Sequence, residues 1–91
     1  MSAVYVFQSR DLSFDNVSSH FAEMQQWLSR QQEKELVIDY SLVKYIDSAG
    51  IAMLIELKKI AEIQAEKKVS LMTSSAIKQL MAFYSVEKLL D

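Results

Sequence analysis

The stretch Leu36-Val37-Ile38-Asp39-Tyr40-Ser41, followed by Val43-Lys44-Tyr45-Ile46-Asp47-Ser48-Ala49-Gly50-Ile51-Ala52-Met53-Leu54, decides the fold. Leu36-Val37-Ile38 is a continuous apolar run after Glu33-Lys34-Glu35, the pattern of a central strand covered on both faces. A loop near Ser41 to Tyr45 leads into a long helix from about Ser48 to Glu66. Asp47 and Ser48 stand where the first helical N–H groups lack partners. Either side chain can accept a bond there, and a carboxylate also suits the positive helix end.

Outward from this segment, β-branched and aromatic residues between 3 and 8 predict a strand, and Leu12 with Phe14 a short second one. Val17, Phe21, Met24 and Leu28 recur at helical steps behind a cap at Asp15 or Asn16, with Trp27 and His20 at the edge of the stripe. After the long helix, Val69-Ser70-Leu71-Met72 predicts a strand. Ser74 or Ser75 caps a last helix carrying Ile77, Leu80, Met81 and Tyr84, and Val86, Leu89 and Leu90 are expected to close the core. Of the last aromatic pair, Phe83 and Tyr84, one is expected to pack inward and the other to extend a surface. Strands alternating with helices imply crossover connections, so the class is α/β, with about four strands in a mixed sheet and helices packed on it. The absence of proline and of low-complexity runs leaves no linker, and residues 1–91 read as a single domain.

Composition narrows the function. The net charge of −2 offers no basic field for nucleic acid or an anionic leaflet. The chain has no cysteine, so disulfides and thiolate chemistry are excluded. No window is apolar for the roughly 18–20 residues a membrane span needs, and the N-terminus does not read as a secretory signal. The expectation is a cytoplasmic chain that touches a membrane only through partner subunits.

On a helical wheel, Met53, Leu54, Leu57, Ile60 and Ala61 take the core side, which places Ile51 and Ile55 in the sector of Lys58, Lys59 and Glu62. Two outward isoleucines beside a serine-bearing helix start are expected to form a docking patch, unless the last helix covers them. A phosphate on Ser48 would add about −1.5 to −2 charges where helix N–H groups accept an anion, a change the fold could tolerate and a docked partner could not.

The strand ending Val37-Ile38-Asp39 and the run Tyr45-Ile46-Asp47-Ser48-Ala49-Gly50 resemble the STAS family, the sulfate-transporter and anti-sigma-factor-antagonist domain, whose pattern is a strand ending in Asp and then Asp-Ser-x-Gly opening a helix. The resemblance covers nearly the whole chain. Asp47 through Glu56, Leu12-Ser13-Phe14-Asp15, Ile77-Lys78-Gln79-Leu80 and Val86-Glu87-Lys88-Leu89-Leu90 are most similar to the MlaB-type branch, a subunit of a bacterial ABC complex that moves phospholipid between membranes. The resemblance implies a partner-binding or regulatory surface at Asp47, Ser48, Ala49, Gly50, Ile51, Ile55 and Asp39. It further implies binding to the ABC-transporter ATPase, support of its assembly or activity, and outer-membrane lipid asymmetry as the outcome. Glycines usual in the family are replaced around Ser9-Arg10-Asp11 and Glu66-Lys67-Lys68, so those turns must use non-glycine geometry or other lengths.

An enzyme would need a nucleophile, a base and an orienting group. The one histidine, His20, reads as a half-buried or solvated neighbour of Trp27, and Asp39 and Asp47 lack a phosphate-cradling loop beside them. Asp39 reads as a strand-end residue that bonds the loop. Met53, Met72 and Met81 read as core filling, and Glu62, Glu66, Lys67 and Lys68 as a solvated helix end. The expectation is therefore no catalysis, no metal or cofactor and no small-molecule substrate. Two functions remain: a transporter subunit in which Ser48 caps and contacts the ATPase, and an anti-sigma-factor antagonist switched by phosphorylation of Ser48.

Overall fold

Alternation along the central strand builds the sheet. In the computed structural model, which describes residues 2–89, strand β3 (Glu35–Tyr40) turns Leu36, Ile38 and Tyr40 into the core. Strand β1 (Ser2–Val6) lies on one side of it and strand β5 (Lys68–Thr73) on the other, both parallel to it. Parallel neighbours need crossovers. Helix α1 (Val17–Arg30) supplies the one between β1 and β3, and helix α2 (Ser48–Lys59) the one between β3 and β5. Two short strands, β2 (Asp11–Leu12) and β4 (Tyr45–Ile46), pair in parallel as a separate ribbon. Helix α3 (Ser75–Tyr84) packs against β4 and α2, followed by a 3-10 turn at Glu87–Leu89. The fold class is the expected α/β, with five strands in two sheets and every described pairing parallel.

Phe7, Leu12, Met24, Leu36, Ile38, Tyr40, Leu54, Leu57 and Ile77 are sealed in a single core cluster. The Tyr40 hydroxyl donates to Met24 Sδ at 3.8 Å, and burial pushes its pKa far above the ordinary phenol value. Trp27 meets Tyr5 edge to face, while His20 is half-buried against Phe7 rather than against Trp27.

Several sequence expectations shift. The long helix stops being α-helical at Lys59 and widens into a π turn at Ile60–Gln64, closed by the Ala65 N–H donating to the Ile60 carbonyl. Asn16 holds the N-cap position of α1 without capping it; its Oδ1 accepts from the Ser13 N–H and its Nδ2 donates to the Asp11 carbonyl, so it braces the preceding loop. Ser74 caps α3 through the Ile77 N–H. Met72 and Leu89 are exposed instead of filling the core, and Leu90 lies outside the described residues. Val37 is only half-buried, because α1 and α2 cover one face of the sheet while Val4, Val6 and Met72 stand exposed on the other. The two turns without glycine solve their geometry differently. Glu66 takes the left-handed conformation at φ 54°, and Ser9 bonds Asp11 through its own hydroxyl.

Candidate functional site

The C-terminal ends of the parallel strands and the N-terminal ends of α2 and α3 come together at one edge of the domain, and Asp47 organises it. Its Oδ1 accepts the Gly50 N–H at 3.0 Å, a helix cap at the third helical residue, and its Oδ2 accepts the Phe14 N–H at 2.9 Å. One carboxylate thus joins the start of α2 to the loop after β2. The Phe14 N–H, then the N–H groups of Gly50 and Ala49, hold the Asp47 carboxyl below the usual carboxylate range against the opposing effect of desolvation. Asp39 does the strand-end work expected of it: its Oδ1 accepts the Ser41 N–H at 2.8 Å, and the Ser41 hydroxyl and N–H lower its pKa.

Gly50 is needed for close approach. A Cβ at this position would meet the Leu12 carbonyl oxygen and lie 2.6 Å from Ile46 Cγ1, so only glycine lets α2 sit against the β2–β4 ribbon. Ala49 is half-buried beside it. Ser48 is exposed at the first position of the helix, and the cap is made by Asp47 rather than by Ser48.

The two isoleucines do not form the expected patch. Ile51 is 4% exposed, and Ile55 is half-buried against the core. The physical reason is the number of neighbours: α2 packs against α1, α3 and β4, so its apolar arc is far wider than one stripe and even Lys58 is buried. Its wet side is the narrow row Ser48, Ala52, Glu56 and Lys59.

The exposed apolar surface near Ser48 comes from other elements. Phe14 is 78% exposed on the loop tied to Asp47, Tyr45 is 60% exposed on β4, and Phe83 is 79% exposed on α3. Tyr45 and Phe83 line an open cleft of about 320 Å³ with Lys44, Ile46, Gln79 and Leu80. Phe14 is thus tied directly to Asp47, and Tyr45, two residues before Asp47 in the chain, belongs to the cleft that Phe83 closes. Tyr84 is also exposed and lies edge to face against Phe83, so neither of that pair packs inward. A signal for Tyr45 was present: in a two-residue strand whose Ile46 is buried, alternation sends its neighbour out. For Phe83 the signal was partial, since one of the Phe83–Tyr84 pair was expected to extend a surface, and nothing comparable marked Phe14.

A family model described as "Mlab, STAS domain" matches residues 8–91. The chain is a STAS domain of the MlaB type. Its fold is similar to the crystal structure of a sulfate transporter family protein from Wolinella succinogenes, with a TM-score of 0.74 over 99% of this chain and 71% of that one, at 16% sequence identity. A comparison with curated proteins gives no match. Among the described residues no helix is long and apolar enough to cross a membrane, and no three acidic, histidine or cysteine side chains gather as a metal site.

Proposed function

We propose that this STAS domain is a non-catalytic subunit that binds the cytoplasmic ATPase of a phospholipid-transporting, Mla-type ABC complex and supports its assembly or activity, so that outer-membrane lipid asymmetry is maintained. It works at the inner membrane through partner subunits, with no cofactor and no small-molecule substrate of its own. The observation that carries this reading is the row of exposed aromatics, Phe14, Tyr45 and Phe83, around the Asp47–Ser48 helix start. Large aromatic side chains held out by rigid elements are the residues that dominate protein interfaces. The MlaB-type family membership supports the choice of partner.

The test is co-purification of a nucleotide-binding ATPase with the tagged chain at native expression. Phe14→Asp, Tyr45→Asp and Phe83→Asp are expected to weaken the complex by roughly 30-fold or more where the residue is an anchor, while the free chain keeps its melting temperature because all three side chains are exposed. A complex indifferent to all three substitutions would remove the proposed surface.

A second reading, the phosphorylated anti-sigma-factor antagonist, is favoured by one observation: Ser48 is exposed and free of the capping role. A phosphate there would gain the helix N–H groups but meet the ionised Asp47 carboxylate one residue away. Phosphoserine in cellular protein, with Ser48→Ala binding its partner and Ser48→Asp failing to, would select this reading.

A further inference from the structure

The two edges of the three-stranded sheet are defended differently. β5 opens with Lys68, directly after Lys67, whereas β1, Ser2-Ala3-Val4-Tyr5-Val6, carries no charge and no proline. Charges and prolines are what ordinarily keep an edge strand from pairing with another chain. In the described residues β1 pairs only with β3.

The direction of its free groups is fixed by the register. The Phe7 N–H donates to the Asp39 backbone carbonyl at 2.9 Å, so the backbone groups of Ala3, Tyr5 and Phe7 face β3. Those of Ser2, Val4 and Val6 then point away from the sheet. The side chains divide too: Ala3 and Tyr5 are half-buried on the helix side, with Trp27 against Tyr5, while Val4, at 57% exposure, and Val6 lie on the open face.

We infer that β1 is the pairing edge for a second copy of this chain, the two strands running antiparallel about a two-fold axis at Val4 so that the sheets join into one. This register places Val4 opposite Val4 of the second copy and Ser2 opposite Val6, each pair exchanging both N–H···O bonds from the groups that point outward. Across the axis on the helix side, Tyr5 falls opposite Ala3 of the other copy, a large ring against a small side chain. On the open face a β-branched pair meets at the axis. Centring the pairing on Tyr5 instead would set the two rings against each other. With no charge on β1, the self-pairing brings no like charges face to face within the strand. The surface contributed, one five-residue strand with the edge of Trp27, is far below the ~800 Å² per partner of a standard stable interface. The dimer is accordingly weak and concentration-dependent. It uses an edge separate from the Ser48 surface and does not depend on the proposed partner.

The test uses the full chain in sedimentation equilibrium up to millimolar concentration, where the mass is expected to rise toward a dimer. Val4→Pro removes an outward N–H while leaving the bonds to β3, and Val4→Lys sets two like charges on the axis. Both are expected to give monomer with a retained circular-dichroism spectrum, and Val4→Lys decides if the proline variant does not fold. Because the chain has no cysteine, Val4→Cys reports the geometry directly: a Cα separation of about 5.5 Å at such a pair is within disulfide reach. Under mild oxidation it is expected to cross-link roughly ten-fold faster than Met72→Cys, an exposed control on the other edge strand. A chain that stays monomeric throughout, a dimer that survives Val4→Lys, or equal cross-linking of the two cysteine variants would overturn the inference.

Discussion

The two ends of α2 are built by opposite means. At its start, the Asp47 carboxylate accepts bonds from two separate segments, and Gly50 lets the helix backbone approach the Leu12 carbonyl and Ile46. At its far end the tie is a long cationic side chain on a backbone oxygen: the Lys67 Nζ donates to the Glu33 carbonyl at 2.7 Å. The helix loosens into the π turn at Ile60–Gln64, the Lys67 N–H reaches back to the Ala61 carbonyl at 2.9 Å, and Glu66 turns the chain at φ 54°. The start rests on a carboxylate and a glycine at fixed positions, whereas the far end is closed mainly by backbone geometry, including a left-handed residue that an ordinary side chain adopts only at a cost. Specific side-chain chemistry is concentrated where Ser48 and its aromatic neighbours are presented to solvent.

The comparison breaks first at Gly50. Adding a methyl group by Gly50→Ala forces α2 away from the β2–β4 ribbon, because one of its neighbours is a backbone oxygen that cannot rotate aside. Overpacking of this kind costs about 1–3 kcal/mol. Urea unfolding should show a lowered midpoint with little change in slope. A midpoint equal to the wild type's would mean that the ribbon yields freely and that the helix start is no more specified than its end.

Next in size is Asp47→Ala, which removes the cap and the tie to Phe14 together, for a cost of about 0.5–2 kcal/mol from the cap alone. The folded pKa is lowered, so this stabilisation is fully present above the ordinary carboxylate pKa. It is lost as the pH falls through the lower folded value. The stability difference between wild type and Asp47→Asn should therefore shrink on acidification through that window. A difference that stays constant with pH would assign the tie to the shape of the side chain rather than to its charge.

The same contrast explains which parts of the molecule were legible in the sequence. The Asp47–Gly50 start, the Ser74 cap and the strand-end role of Asp39 are local: each rests on a residue acting on backbone within a few positions of itself, whereas the central position of β3 was read from its apolar run. The burial of Ile51 was not legible, because a wheel shows which residues share a face but not how many elements pack around the helix. Leu36-Val37-Ile38 misled for a related reason, since an apolar run reads alike whether both faces of a strand are covered or one is left open around Val37. The docking surface moved accordingly, from two residues of α2 to aromatics supplied by a loop, β4 and α3. The helix start was found; of the aromatics gathered around it by tertiary structure, only the Phe83–Tyr84 pair was marked as a surface candidate.

The smallest effect lies at the far end and has the opposite sign. Glu66 holds a left-handed conformation that costs an ordinary L-residue about 1–2 kcal/mol, through the approach of its Cβ to the following carbonyl. Glycine escapes that clash but gives up more backbone freedom on folding, which offsets about 0.5–1 kcal/mol of the gain. Glu66→Gly should therefore stabilise the chain by up to about 1 kcal/mol, seen as a small rise in the urea midpoint. The exposed Glu66 side chain makes no described hydrogen bond whose loss would cancel this. Because the turn lies away from Asp47 and Gly50, the gain should add to the losses at the helix start in the double variants Gly50→Ala/Glu66→Gly and Asp47→Ala/Glu66→Gly. Strong non-additivity would show that the two ends of α2 are coupled through the helix, and the division drawn between them would fail.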